Sequence, residues 1–310
     1  MPQLVIAVVG PTAAGKSELS LRLARALDGE VINADSMQLY RGMDIGTGKL
    51  TVAERGGVPH HLIDIWDVTE TASASEYQRL ARAVIAEIQG RGRTAILVGG
   101  SGLYVRAAID NLEFPGTEPA LRARLEAELA TLGPAILHGK LATADPNAAA
   151  AILPTNGRRI VRALEVIELS GRPFSATLPD YVSVLPAAQI GLSVRRPVLD
   201  LRISDRVSRM WRAGLVEEVR RLADRGRHGG LRAGRTASRA LGYAQVLRFL
   251  DGEWTQAEAE DQTVRLTRRF ARRQESWFRR DPRVRWLDAT QPVPTRLALA
   301  AIDESAASAG

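Results

Sequence analysis

Eight consecutive residues constrain this chain more than any others: Gly10-Pro11-Thr12-Ala13-Ala14-Gly15-Lys16-Ser17. They match G-x-x-x-x-G-K-[ST], follow the short apolar run Leu4 to Val9, and open a segment with Leu19, Leu23 and Leu27 at four-residue spacing. A strand, a glycine-rich turn and a helix start, in that order, is the context in which this pattern holds phosphate. Loop amides and the helix N-terminus cradle phosphate oxygens, Lys16 adds a point charge, and the Ser17 hydroxyl is a candidate ligand for Mg2+. A turn used only for strand-to-helix packing would explain the glycines but not the Lys-Ser pair. Gly10 to Ser17 are therefore the candidate residues for binding a diphosphate or triphosphate.

The flanking sequence repeats the strand–helix rhythm. Glu30 to Ala34 and Thr94 to Val98 read as further short strands, with a helix over Ala74 to Gln89 between them. Strands alternating with helices predict an α/β fold: a P-loop NTPase-like, doubly wound parallel sheet. After about Asn111 the pattern turns helical, over Ala120 to Thr131, a short helix to Leu141, and Asn156 to Leu169. That predicts an inserted helical subdomain over 113–186 within a core made of 1–112 and 187–310. Ile190 to Val194 is a returning strand, a long helix is expected over Val198 to Arg225, and helices near 239–251 and 255–279 come after it. Val284 to Leu287 reads as a last strand, and the Ala/Ser tail from Ala300 as frayed.

Charge divides the chain. Residues 1–194 hold 18 Lys+Arg against 20 Asp+Glu, whereas 195–310 hold 24 against 15. The basic C-terminal half suggests a polyanionic partner, although only three of the cations are lysines and an Arg-heavy genome gives the same picture. With no Cys there is no disulfide and no thiolate metal site, and the pair His60-His61 projects to opposite sides of an extended segment. No secretory leader and no run of eighteen apolar residues is present, so a cytoplasmic protein without membrane association is expected.

A phosphate loop says nothing about what happens to the phosphate. Phosphoryl-transfer enzymes of this type hold Mg2+ through an Asp ending an apolar strand, yet here Ile96-Leu97-Val98 runs into Gly99-Gly100-Ser101-Gly102 without a carboxylate. The acid at a strand end is Asp35. In a doubly wound sheet it faces the same crevice as the phosphate loop, and position alone allows it to be a general base or the N-cap of the next segment.

Gly10 to Ser17, Asn33 to Thr47, Val58 to Ile65 and Leu97 to Tyr104 together resemble the signature blocks of the tRNA isopentenyltransferase (tRNA dimethylallyltransferase) family. Arg158 to Glu165, Arg202 to Arg206, Gly242-Tyr243 and the Arg-rich run Thr267 to Arg279 extend the resemblance in order along nearly the whole chain. It implies transfer of a dimethylallyl group from dimethylallyl diphosphate to the exocyclic amine of the adenine 3′ of the anticodon, with Mg2+ as cofactor and the tRNA anticodon stem-loop as partner of a monomer. By the same resemblance Asp35 is the base, Arg206 grips the diphosphate, and Ser101 supports the leaving group. Implied tRNA contacts are Asp35, Ser36, Met37 and Gln38, then Arg158, Arg159, Ile160, Val161 and Arg162, and finally Arg239, Gly242 and Tyr243. Gly48 stands where Ala is commoner, and Ser101 where Thr is.

Leu266, Phe270 and Trp277 form a helical stripe better suited to core packing than to base stacking. That leaves Arg268, Arg269, Arg272 and Arg273 as candidates for RNA phosphate. Three other readings compete: a small-molecule or nucleotide kinase, which would consume ATP; an adenylate isopentenyltransferase, which has no use for the insertion and the basic half; and an RNA-binding ATPase switch, which would hydrolyse nucleotide without alkylating anything.

Overall fold

The computed structural model describes residues 4–174, 181–223 and 229–307, so the expected end of the long helix at Arg225 lies outside the described residues. The chain divides into two compact units, 1–109 with 183–310 and 110–182. The bounds expected from sequence, 113 and 186, lie a few residues further along.

The larger unit is built on six parallel strands: β1 (Val5–Val9), β2 (Gly29–Asn33), β3 (His60–His61), β4 (Thr94–Gly99), β5 (Ala187–Ser193) and β6 (Val284–Asp288). Their order is β3-β2-β4-β1-β5-β6. β1 is central and fully buried, as a continuous apolar run requires when both faces of a sheet are covered. Register places Val9 beside Gly99 on one side and beside Gly191 on the other. The chain leaving β1 therefore emerges where the order reverses, the position at which open α/β sheets form their crevice.

Helix α1 (Lys16–Ala26) starts at the phosphate loop and buries Leu19 and Leu23 against the sheet. α2 (Val52–Arg55) and α3 (Ala74–Gly90) lie between β2 and β4 in sequence, and α4 (Gly102–Ile109) follows β4. α4 is not legible as a helix because its one charged residue, Arg106, is buried and its one exposed residue, Leu103, is apolar, so it shows no polar face.

In the smaller unit, α5 (Pro119–Leu132), α6 (Pro134–Ala144), α7 (Pro146–Ala151) and α8 (Gly157–Ser170) pack around Leu125, Leu137, Leu141 and Ile160. Pro134 and Pro146 each open a helix, where the missing N–H costs nothing.

The remaining helices belong to the larger unit: α9 (Arg196–Arg212), α10 (Leu215–Ala223), α11 (Gly230–Ala233), α12 (Tyr243–Leu250), α13 (Gln256–Phe278) and α14 (Thr295–Ala307). The long helix expected from Val198 is two helices. Gly214 has φ +96, a left-handed conformation that ends α9 and redirects the chain. The tail is not frayed from Ala300 either: Ala298, Ala301 and Ile302 of α14 are buried in the cluster that covers one face of the sheet. No described helix is long and apolar enough to cross a membrane.

Candidate active site

The phosphate loop is shaped by backbone. Gly10 has φ +133, and a Cβ there would lie 2.7 Å from the Leu192 carbonyl oxygen, so only glycine lets the chain pass β5. Ala13 holds φ +63, a conformation that costs a non-glycine residue roughly 1–2 kcal/mol and is kept where a site needs it. Gly15, at φ +94, has open space where a side chain would stand. Next to that space the first N–H groups of α1 lack intrahelical acceptors. Gly10 and Pro11 shape the loop but do not line the cavity; the Pro11 carbonyl accepts a 2.7 Å bond from Lys16 Nζ.

Above the loop is a cavity of about 760 Å³, lined by Thr12 to Ser17, Asn33, Asp35, Gln38, Thr47, Gly48, Arg202, Arg206, Arg209 and Gln274 among others. The doubly wound topology explains the convergence, since β1 and β2 deliver their C-terminal ends to the same edge. Burial pushes the Lys16 ammonium down to about 8; Asp35 opposes that shift and Arg206 adds to it. Burial likewise lowers the Arg206 guanidinium, against the pull of Asp35 and with the push of Arg209. Clustered cations destabilise one another until an anion arrives, which is the electrostatic signature of an anion-binding site.

Asp35 fills the capping role that its position allowed and leaves one carboxylate oxygen over. Oδ1 accepts from the Met37 N–H at 3.0 Å, capping the turn after β2, and no described residue hydrogen-bonds Oδ2. Asn33 fixes the aspartate's backbone, with its Oδ1 accepting from the Asp35 N–H at 2.9 Å and its Nδ2 donating to the Asp35 carbonyl at 3.0 Å. Ser101 does not line the cavity. The β2–β4 pairing brings its hydroxyl to the Ser36 N–H, from which it accepts at 3.2 Å, so it holds the Asp35 turn.

The other residues implied by resemblance separate into groups. Gln38 lines the cavity and donates to the Thr47 carbonyl at 3.3 Å, while Met37 packs on the apolar cluster around Tyr40. Tyr243 is fully buried and donates to Glu218 Oε1 at 2.5 Å, so its side chain has no surface to offer RNA; Gly242 beside it is buried too, and Arg239 is exposed.

In the smaller unit Arg158 and Arg159 are exposed, whereas Ile160 and Val161 lie in the core. Arg162 is committed to the Pro115 carbonyl at 2.6 Å and to buried Glu165 at 2.6 Å. On α13, Arg268 is spent on Ser204 Oγ at 2.7 Å, and Arg269, Arg272 and Arg273 are exposed. Trp277 fills the space beside Gly102, as a packing residue does.

Thr47, Glu218 and Gln274 escaped sequence reasoning. Arg206 Nη2 donates to the Thr47 carbonyl at 3.0 Å, and Gly48, with φ +63, leaves room for that guanidinium where a Cβ would lie 2.2 Å from Nη2. Thr47 is in turn held by Glu218, whose buried carboxylate accepts from the Asp44, Ile45 and Gly46 amides at 3.1, 2.8 and 3.2 Å. The only sequence signal was an acid at position 218 on the apolar face of α10, between Leu215 and Leu222. Gln274, from α13, accepts from the Thr12 N–H at 2.9 Å and donates to the Gly100 carbonyl at 3.0 Å.

His60 lines the cavity with its Nδ1 on the Val58 carbonyl, and His61 pairs with buried Glu30 at 2.5 Å. No cluster of three His, Asp or Glu residues stands among the described residues.

The sequence model of the IPP transferase family matches residues 38–281. The tRNA dimethylallyltransferase of Thermobifida fusca is 67% identical over 93% of this chain and 91% of its own length. That of Streptomyces avermitilis is 68% identical, with 94% and 93% covered. Among solved structures, the tRNA isopentenylpyrophosphate transferase of Bacillus halodurans superposes with a TM-score of 0.71 at 42% identity, covering 98% of each chain. A eukaryotic dimethylallyltransferase, described as acting on tRNA, gives 0.81 at 26% identity over 99% of this chain and 80% of that one. By family match, near-complete relatives and a shared fold, the chain belongs to the IPP transferase family, the tRNA dimethylallyltransferases.

Proposed function

We propose that this enzyme moves a dimethylallyl group from dimethylallyl diphosphate to the exocyclic amine of the adenine 3′ of a tRNA anticodon, releasing diphosphate. It would do so as a cytoplasmic monomer. The observation that carries the reading is one cavity that joins a phosphate loop and Arg206 to Asp35, with no acid at the end of β4. Phosphoryl transfer needs that missing acid, and none of the relatives compared favours a kinase. The adenine amine is a weak nucleophile because its lone pair is delocalised; Asp35 Oδ2 accepts its proton as the C–N bond forms and the allylic C–O bond breaks. Lys16, Arg206 and the α1 amides stabilise the charge that develops on the leaving oxygen.

The residues present fit Mg2+, which takes one or two protein oxygens and completes its shell with phosphate and water. Ser17 is exposed to the cavity and would hold it. Bound there, the ion neutralises charge on the departing diphosphate. The deciding experiment incubates purified enzyme with unmodified tRNA and dimethylallyl diphosphate, without ATP, and digests the RNA for mass spectrometry. One C5H8 unit on the adenosine 3′ of the anticodon is expected; ATP consumption coupled to product would refute the reading.

Two properties of the substrates give further expectations. Because Lys16 titrates near 8 when the site is empty, and a diphosphate binds only the charged form well, donor affinity falls as pH rises through that value. The dissociation constant of a non-reacting thiodiphosphate analogue should rise by up to about tenfold per pH unit above it, and Lys16→Arg should flatten the curve because a guanidinium stays charged.

For tRNA, affinity should fall steeply with salt. Ala at Arg269, Arg272 or Arg273 should reduce the log–log slope by up to about one unit per phosphate contact. Arg268→Ala should leave the slope alone, because Ser204 already holds that guanidinium. Parallel lines for every variant would place the basic face of α13 away from the RNA.

A further inference from the structure

The Gln274 side chain lines one wall of the cavity and bridges the two halves of the site. It is 5% exposed, on the face of α13 that also buries Ala271 and Phe278. Its two amide atoms are spent on backbone atoms of different loops: Thr12 N–H in the phosphate loop and the Gly100 carbonyl in the turn after β4. The neighbouring residue in that turn, Ser101, accepts from Ser36 N–H and donates its own N–H to the Ala34 carbonyl at 3.3 Å. A relay of hydrogen bonds thus runs from the phosphate loop through Gln274 and Ser101 to the turn that carries Asp35. Space is matched to the relay, since a Cβ on Gly100 would lie 2.1 Å from Gln274 Nε2.

A buried amide that served packing alone would be a poor choice, because it must recover its desolvation cost through well-formed bonds that an apolar side chain does not need. Both bonds here go to the loops of the site. The Thr12 amide is also withdrawn from the phosphate cradle, which leaves the donors at the start of α1 to set the depth of the diphosphate. Resting on the donor and acceptor roles proposed above, we propose that Gln274 is a positioning residue fixing the separation between the leaving-group cradle and the base. Its consequence is selectivity for the amine over water. With the spacing held, the donor carbon meets the adenine nitrogen. When it slips, water's oxygen bonds to that carbon as the C–O bond breaks, a proton passes to Asp35 or solvent, and dimethylallyl alcohol and diphosphate are released.

The test compares wild type, Gln274→Glu and Gln274→Met in the full chain with tRNA and labelled dimethylallyl diphosphate. It measures kcat, donor KM and the ratio of alcohol to alkylated RNA, alongside Tm. Gln274→Glu keeps the acceptor for Thr12 but sets a carboxylate against the Gly100 carbonyl; Gln274→Met keeps the volume and neither bond. The expected result is a kcat lower by roughly 10- to 10²-fold, the scale of a misplaced reacting group. Donor KM should hardly change, and the alcohol fraction should rise in both variants while each still melts cooperatively. Activity lost only in proportion to folded protein, with the alcohol fraction unchanged, would overturn the inference, as would weakened donor binding with no change in partition. If wild type releases diphosphate from the donor without alkylating RNA at all, the functional reading falls and this inference with it.

Discussion

Asp35→Asn should lower turnover by roughly 10²- to 10⁴-fold, the usual consequence of losing a general base, with tRNA affinity almost unchanged. The substitution is nearly isosteric. The Met37 N–H that now binds Oδ1 fixes the orientation of the new amide, keeping its oxygen on the turn and aiming its NH2 into the cavity. That NH2 has no free lone pair for a proton and meets the adenine amine as donor against donor. The charge change removes a carboxylate that repels the anionic donor but also the anion that holds the Lys16 pKa up, so donor affinity should not fall at a pH low enough to keep Lys16 charged. Single-turnover alkylation, measured beside equilibrium tRNA binding, separates these effects. A rate within a few-fold of wild type would remove Asp35 from proton transfer and leave it as a turn cap.

Removing the cations should act on the other substrate. Lys16→Ala and Arg206→Ala each delete a group that stabilises the departing diphosphate, and loss of one such preorganised donor costs about 10²- to 10³-fold in rate. Arg206→Lys should rescue little, because the guanidinium spans the Thr47 carbonyl on one edge and the cavity on another, and a point charge does not. The double mutant should lose more than the product of the two single losses, since the two cations repel each other and deleting either one lets the other hold its charge better, which masks part of each single loss. Steady-state kinetics with donor varied at saturating tRNA would show these losses in kcat/KM for dimethylallyl diphosphate. If the thiodiphosphate analogue bound Lys16→Ala and Arg206→Ala as tightly as wild type, the leaving-group assignment would fail.

What the sequence determined alone was whatever depends on contiguous residues. The phosphate loop was legible because eight neighbours define a backbone path, with glycines at two of the three positions where φ is positive and Lys-Ser at a helix start. The parallel sheet was legible because strands buried on both faces have to be short apolar runs, and Asp35 because it ends one of them.

Tertiary structure decided the rest. Gln274 reaches Thr12 across 262 positions, and Glu218 reaches Ile45 across 173. Gln274 has no local mark that separates it from a solvated helix residue, and Glu218 only its place on an apolar face, until α13 and α10 pack. Tyr243 and Arg162 show the converse. Both sit in motifs that suggested RNA contact, yet both are drawn inward to buried carboxylates, Glu218 and Glu165, because an acid placed in a core must be hydrogen-bonded to remain there. A motif records which residues a site requires; whether each touches substrate or holds another in place is settled by burial and partners, which only the folded chain supplies.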